Sequence, residues 1–441
     1  MLGWEGAEGG AYHRRVDGTM AFVDISGFTA MSERLARLGK EGAEEVAEII
    51  NSIFARLLAV AYENGGSLLK FGGDALLLFF EGDQHATRAA HAAAWMRRRL
   101  REIGRIQTSA GLATLKMHVG LHSGGFDFFV VGDVHRELIV TGPAATTTVT
   151  MESSAVAGEI LMSEATASFL PPGVLGDARN GGRLLVRTPP PPLVWVGVPT
   201  PDVDPSPFIA PPILEHVSAP VDPEHRRVAV SFVRFEGVDE LVQSQGTEAA
   251  AEQLDILVRT VQRAAQEQLV TFLDSDPERD GGKLMLAAGA PWSTERDGEQ
   301  LLRAVRAVVE SAPPLPLRIG VNQGHVFTGL IGPSYRRKYS VMGDAVNLTA
   351  RLMAKAEPGQ IVATPEVVEG SRTLFDVVEL EPFTVKGKAH PIRACVVGPA
   401  VGTQSTDLVS HTPMLGRERE LALLLGALAE ARAGRGLRRD F

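Results

Sequence analysis

Met117-His-Val-Gly120-Leu-His-Ser-Gly124, followed by Val130-Val-Gly132-Asp133, returns later in the chain as Arg318-Ile-Gly320-Val-Asn-Gln-Gly324, followed by Leu330-Ile-Gly332. Gly120 pairs with Gly320, Gly124 with Gly324 and Gly132 with Gly332, all at one offset. Further on, Gly142-Pro-Ala answers to Gly343-Asp-Ala and Gly158-Glu-Ile-Leu to Gly359-Gln-Ile-Val. Glycines held in register across several elements mark a diverged internal duplication. Two homologous domains in tandem are expected. In each, short apolar strands and amphipathic helices run β-α-α-β-β-α-β with additions, the split βαβ order of a ferredoxin-like fold, so the class is α+β.

Outward from this core, Thr19–Asp24 reads as a strand, and Ala30 to about Glu63 as helix broken near Gly39–Gly42. Ser67–Phe71 and Ala75–Phe80 read as a hairpin closed by Gly72-Gly-Asp74, and Gln84 to about Ile106 as helix. Lys116–His122, Phe126–Val131 and Leu138–Thr141 read as separate strands. The first domain is expected over residues 12–197 and the second over 226–400. Residues 198–225 are dense in proline and are expected as an extended spacer without helix. Residues 401–441 carry Leu415-Gly-Arg-Glu-Arg-Glu-Leu421 ahead of an Ala/Leu-rich helix. They look like the truncated start of an AAA-like or STAND-like ATPase module.

The length of 441 residues allows two or three folding units at roughly 150 residues each. With 44% hydrophobic and 22% charged residues, a packed core is expected. A net charge of −9 argues against a protein that coats nucleic acid. Cys395 is the sole cysteine, which excludes a disulfide or cysteine-zinc framework and suits a reducing cytoplasm. No apolar run reaches the roughly 18 residues needed to span a bilayer, and the N-terminus lacks a signal-peptide pattern. A soluble cytoplasmic protein is expected, with no membrane partner.

Phe22-Val-Asp24-Ile-Ser-Gly27-Phe-Thr29 ends a strand on a carboxylate and turns through Ser26-Gly27 into a helix. The first-turn N–H groups, around Ser26, Gly27, Phe28 and Thr29, suit phosphate oxygens. If this strand lies beside the hairpin, Asp24 and Asp74 share one sheet edge and fit a hard cation such as Mg²⁺. The plainer reading is that Asp24 caps a helix and Asp74 fills a turn. His118 and His122 fall on one face of a strand, where a buried hydrogen-bonded pair is expected rather than a metal site. Tyr335-Arg-Arg-Lys-Tyr339 is either an attractor for triphosphate or a solvated turn. No Gly-x4-Gly-Lys-[Ser/Thr] phosphate loop occurs.

Phe22-Val-Asp-Ile-Ser-Gly-Phe-Thr-Ala-Met31, Leu69-Lys-Phe-Gly-Gly-Asp-Ala-Leu76 and Tyr339-Ser-Val-Met-Gly-Asp-Ala-Val-Asn347-Leu-Thr-Ala-Arg351 resemble class III nucleotidyl cyclases, most nearly the soluble type with tandem catalytic domains. The resemblance covers about residues 17–400. It implies an adenylate cyclase that turns ATP into 3′,5′-cyclic AMP and pyrophosphate with two Mg²⁺ or Mn²⁺ ions. Asp24 and Asp74 match the metal aspartates, with the Ile25 carbonyl assisting. Asn347 matches the ribose-orienting asparagine, Arg351 the transition-state arginine and Ser340 the base-reading position. Lys386 matches, loosely, a lysine that reaches the terminal phosphates. Diguanylate cyclase, suggested by Gly72-Gly-Asp74, fits poorly because Ala75 and Leu76 follow.

The copies differ in a complementary way. In the second, Arg234 replaces Asp24 and Lys283 aligns with Asp74; in the first, Thr146 and Thr150 stand where the second has Asn347 and Arg351. Packed head to tail as a pseudo-dimer within one chain, which needs no second copy, they would build one complete pocket and one degenerate pocket. The resemblance also predicts an adenine-contacting lysine before the second hairpin, where Leu273 to Asp280 contains none. A catalytically silent nucleotide sensor acting on a downstream ATPase region is the alternative, with a guanylate cyclase as a further one.

Overall fold

In the computed structural model, residues 11–191, 204–219, 222–384 and 391–403 are described, together with 423 and 426. Lys386 and the segment Leu415–Leu421 lie outside them.

The first repeat is built around β1 (Tyr12–Ser26), whose Met20, Ala21, Val23 and Ile25 are fully buried. The chain then forms α1 (Phe28–Ala36), α2 (Lys40–Glu63), the hairpin β2 (Gly66–Gly72) and β3 (Ala75–Glu81), and α3 (His85–Ile103). A small hairpin β4 (Arg105–Thr108) and β5 (Gly111–Thr114) precedes β6 (Lys116–Val131), β7 (Glu137–Thr141), α4 (Pro143–Ser154) and β8 (Ile160–Ser163). The short helix α5 (Glu164–Ala167), β9 (Leu175–Arg179) and β10 (Gly182–Leu185) complete it. Strand order is β2-β3-β1-β6-β8-β10-β9, with β7 also on β6.

The second repeat follows the same course. After α6 (Pro211–Val217) come β11 (Glu224–Glu236), α7 (Val238–Gln245), α8 (Thr247–Glu267), β12 (Thr271–Glu278) and β13 (Gly281–Ala288). Then follow α9 (Asp297–Glu310), β14 (Leu317–Ile331), β15 (Lys338–Met342), α10 (Asp344–Lys355), β16 (Ile361–Ala363), α11 (Pro365–Glu369), β17 (Thr373–Glu379) and β18 (Cys395–Thr403). Strand order is β12-β13-β11-β14-β16-β18-β17 with β15 on β14, the first sheet's topology repeated. The α+β class and the tandem duplication are thus present as expected.

Helices α2 and α3 cover one face of the first sheet, because the i, i+3/i+4 rows of α2 (Val46, Ile50, Phe54, Leu57) are apolar and fully buried. Each such side chain contributes about 1.5–3 kcal/mol on burial. Phe327, Ile331 and Met342 of the second repeat sit in the first repeat's core, while Phe129, Val131 and Ile139 of the first sit in the second's. Both sheets belong to one compact unit ending at Gly402.

Four local expectations differ from the structure. Strand β1 begins at Tyr12, because its charged N-terminal half still pairs with the far end of β6, Tyr12 opposite Val130. Strand β6 is continuous through Ser123-Gly124-Gly125, because these residues keep pairing with Thr19, Gly18 and Asp17 of β1. Hairpin β4–β5 had no clear sequence signal, being four residues a side. The proline-rich stretch is not wholly extended, since Pro211 and Pro212 open α6, where a first-turn position needs no N–H donor.

Candidate active site

Asp24 lies near the end of β1, opposite Ala75 of β3 on one side and His118 of β6 on the other. The β2–β3 turn brings Asp74 to the same edge, with Gly73 in a left-handed conformation (φ 67°). Gly27 (φ 96°) turns the chain into α1, and a Cβ there would sit 2.7 Å from the Thr114 carbonyl oxygen. No side chain caps the first turn of α1. Phe28 is itself buried in the core, so only its backbone can serve a ligand. The Ile25 side chain is likewise fully buried.

A cavity of about 620 Å³ opens between the repeats. Asp24, Gly73 and Asp74 line it from the first repeat; Ser340, Val341 and Asn347 line it from the second. Across this gap Asn347 Nδ2 donates to Thr29 Oγ1 at 3.3 Å. Arg351 follows one turn on along α10 and is exposed. The structure therefore brings Asp24, Asp74, Ser340 and Asn347 to one cavity, with Thr29 bonded to Asn347 at its edge.

Burial lifts Asp24 to about 6, with Glu152 pushing the same way and His118 opposing. Burial and the charge of Asp24 lift Asp74 to about 7. Two desolvated carboxylates at one edge repel each other and favour a bound cation or a proton. A hard divalent ion such as Mg²⁺ or Mn²⁺ fits this donor set. Two further groups adjoin it that the sequence reading did not assign there. His118 Nδ1 is 3.5 Å from Asp24 Oδ2, and its Nε2 is 2.9 Å from Glu152 Oε1. Ser26 Oγ is 3.2 Å from the same Nδ1. His122 bonds elsewhere, to Ser163 Oγ at 2.8 Å, so the two histidines are each satisfied but not by each other. The presence of Glu152 depends on how α4 packs against β6, which no local pattern reveals.

The second repeat's counterpart is built differently. Arg234 faces Lys283 across β11–β13, as Asp24 faces Ala75. The sequence alignment of Lys283 with Asp74 is thereby shifted to Ala75, because hairpin β12–β13 runs on through Pro277–Gly282 and Glu278–Gly281. The same registers put Asp274 at the station of Lys70. Arg234 pairs with Glu236 at 3.1 Å and Lys283 with Glu278 at 3.0 Å. At the hairpin turn, Asp280 accepts the Gly237 and Asp239 backbone N–H groups, each at 3.1 Å. Of the basic run, Tyr335, Arg336 and Arg337 lie exposed in a turn, while Lys338 lines the cavity and reaches Asp274 and the Phe71 carbonyl (3.0 Å).

The family pattern described as Adenylate and Guanylate cyclase catalytic domain matches residues 12–188 and 299–398. Adenylate cyclase type 10 of Oryctolagus cuniculus is 23% identical over 481 residues, covering 94% of this chain and 29% of that protein. The Homo sapiens protein of the same name is 24% identical over 428 residues, covering 85% and 26%. The chain spans less than a third of the length of these relatives. Among solved structures, a class III adenylyl cyclase-like ATP-binding protein from Pseudomonas aeruginosa shares the fold, with a TM-score of 0.59 at 12% identity over 81% of this chain and 85% of that one.

Proposed function

The chain belongs to the adenylate and guanylate cyclase catalytic domain family, and from that premise we propose that it is an adenylate cyclase with one working site, formed between its two repeats as a pseudo-dimer. The reading is carried by one observation: the carboxylates of the first repeat and Asn347 of the second line a single cavity, and Asn347 touches Thr29 beside the phosphate cradle.

Asp24 and Asp74, with the Ile25 carbonyl, would hold Mg²⁺ or Mn²⁺. Bound there, two such ions would neutralise the triphosphate and favour ionisation of the ribose 3′-hydroxyl. The chain's own residues do the rest. The open first turn of α1 offers N–H groups at Phe28 and Thr29 to phosphate oxygens. Asn347 orients the ribose, and Arg351 stabilises the charge that develops on the transferred phosphoryl group. Lys386, outside the described residues, is kept as a ligand for the terminal phosphates. Ser340, buried on β15, reads the base.

The adenine assignment is carried over from the adenylate cyclase relatives, with Ser340 at the base-reading position. Asp274 and Lys338 line the same cavity but are spent on each other and on Lys70. In the second repeat the helix N-terminus equivalent to the phosphate cradle is taken by Asp280, which supports treating that half as degenerate.

A purified-protein assay with ATP and GTP, each with Mg²⁺ or Mn²⁺, is the test. Cyclic AMP formed faster than cyclic GMP is expected. Nucleotide binding without turnover would favour the silent-sensor reading, which gains support from Asp274 standing where a lysine was expected.

A further inference from the structure

Four charged side chains from the two repeats form a row where the sheets meet. Glu137 Oε1 accepts from Lys70 Nζ at 2.6 Å; Lys70 Nζ lies 3.5 Å from Asp274 Oδ1; Asp274 Oδ2 accepts from Lys338 Nζ. Ser275 Oγ ties the row together, receiving Lys70 at 2.5 Å and donating to Glu137 at 2.6 Å. Lys70 and Glu137 are each 8% exposed.

The strand registers show that these residues are equivalent in pairs. Lys70 and Asp274 occupy the same station on β2 and β12, opposite Leu77 and Met285. Glu137 and Lys338 occupy the same station on β7 and β15, opposite Val131 and Ile331. Each repeat thus contributes one internal ion pair to the row, with its signs exchanged between the copies. Read across the contact, the row alternates: Glu137 minus, Lys70 plus, Asp274 minus, Lys338 plus. Two first repeats brought together in the same way would oppose Lys70 to Lys70 at the centre. Two second repeats would oppose Asp274 to Asp274, with Asp276 adding more negative charge nearby.

We propose that this exchanged charge row selects the pairing of the first repeat with the second and rejects the pairing of like repeats, so that the chain closes on itself. The apolar residues that cross between the repeats differ at equivalent stations, Phe129 against Gly329 and Phe327 against Asp127, and the charge row adds to that difference in shape. A like-charge contact at a buried centre discriminates strongly, because burial removes the solvent that would screen it. Lys70 bears this out: burial alone would lower its pKa, yet Glu137 and Asp274 hold it raised. The inference concerns assembly and stands whether or not the cavity turns over nucleotide.

The experiment uses the 441-residue chain and reads mass by light scattering and melting temperature, neither of which depends on catalysis. The variant Asp274→Lys/Lys338→Glu gives the second repeat the signs of the first. It is expected to melt several degrees lower and to show a concentration-dependent dimer absent from the parent. Adding Lys70→Asp and Glu137→Lys restores alternation with all signs inverted, and is expected to recover the parent's mass and most of its melting temperature. A sign-matched variant indistinguishable from the parent overturns the proposal, as does a fourfold inversion no better than the sign-matched variant. Should the inverted chains fail to fold, Lys70→Met, Asp274→Asn and their combination decide: a combined loss well below the sum supports the row, and additive losses overturn it.

Discussion

Asp280 accepts the Gly237 backbone N–H at 3.1 Å, so a carboxylate of the chain itself sits on the helix N-terminus that corresponds, in the first repeat, to the open turn after Gly27. The turn is further pinned to the first repeat, with the Asp280 N–H donating to Thr146 Oγ1 at 2.8 Å and Thr141 Oγ1 donating to the Gly281 carbonyl at 2.7 Å. One helix N-terminus is available to an anion and its counterpart is not. Titration calorimetry with a non-cyclisable ATP analogue should accordingly give one nucleotide per chain; two equivalent sites would contradict this. Asp280→Ala removes a cap and should cost about 0.5–2 kcal/mol of stability.

Asp24→Ala and Asp74→Ala should each reduce cyclic nucleotide formation to below about 1% of the parent, since each removes a ligand from the charge-neutralising centre. Asp74→Ala should not lower the melting temperature at neutral pH, because it deletes one of two mutually repelling carboxylates, whereas Asp24→Ala also removes a partner of His118 and should be the less stable of the two. Activity assays with calorimetric scans of the same preparations check both statements. Retained activity in either variant would remove the carboxylates from the mechanism.

The same pair predicts a pH profile. Asp24 titrates at about 6 and Asp74 at about 7 in the folded chain, against 3.8 for the ordinary group. Through this pair the folded state binds more protons than the unfolded state between about pH 4 and 7. The pair's own contribution to stability therefore falls as pH rises through that window, while the lowered His85, His122 and His225 act in the opposite sense. In chelator-treated protein the melting temperature of Asp74→Asn relative to the parent should rise over this range, and Mg²⁺ added near pH 8 should raise the parent's by stabilising the ionised pair. Asp74→Asn should shrink the Mg²⁺ response. A difference between variant and parent that does not change with pH, or a Mg²⁺ shift undiminished in Asp74→Asn, would contradict the assignment.

Arg351 and Asn347 are exposed on α10, so their removal should leave the fold intact and act on the reaction alone. Arg351→Ala should lower kcat by about 10²–10³, the usual consequence of losing a charge-stabilising donor. Asn347→Ala should do so by a smaller factor while also raising KM, because ribose placement contributes to binding as well as to reaction. Steady-state kinetics separates these outcomes, and an unchanged kcat in Arg351→Ala would exclude its role.

What could be read in the sequence follows from how locally each constraint acts. Asp24, Gly27 and Asp74 are legible because a strand end, a left-handed turn and a tight hairpin each impose their residue within a few positions. Glu152 was not, since its approach to His118 depends on how α4 lies across β6. Nor was the place of Asp274, because the longer second hairpin shifts the alignment by its two extra pairs and only the observed register fixes the station. The α6 prolines misled for the opposite reason, composition being read without position: at a helix start, proline's missing donor costs nothing. The charge row demanded knowledge of both registers and of the contact between repeats, three long-range facts at once.

The duplicated glycines supply a last test, because they were legible as spacing and the structure explains them as close approach. A Cβ at Gly120 would lie 2.2 Å from the Glu152 backbone nitrogen on α4, and one at Gly320 would lie 2.4 Å from the Met353 nitrogen on α10. Alanine at either position must push its helix off its sheet, at about 1–3 kcal/mol by analogy with overpacked cores. The two costs should be similar, since the two contacts are. The functional effects should not be. Helix α10 carries Asn347 and Arg351, whereas the matching positions of α4 are Thr146 and Thr150. Gly320→Ala should therefore lose at least about tenfold more activity than Gly120→Ala, because small misplacements of transition-state groups are amplified in rate. Equal activities at equal stability would mean that the two repeats contribute alike, and would undo the single-site reading.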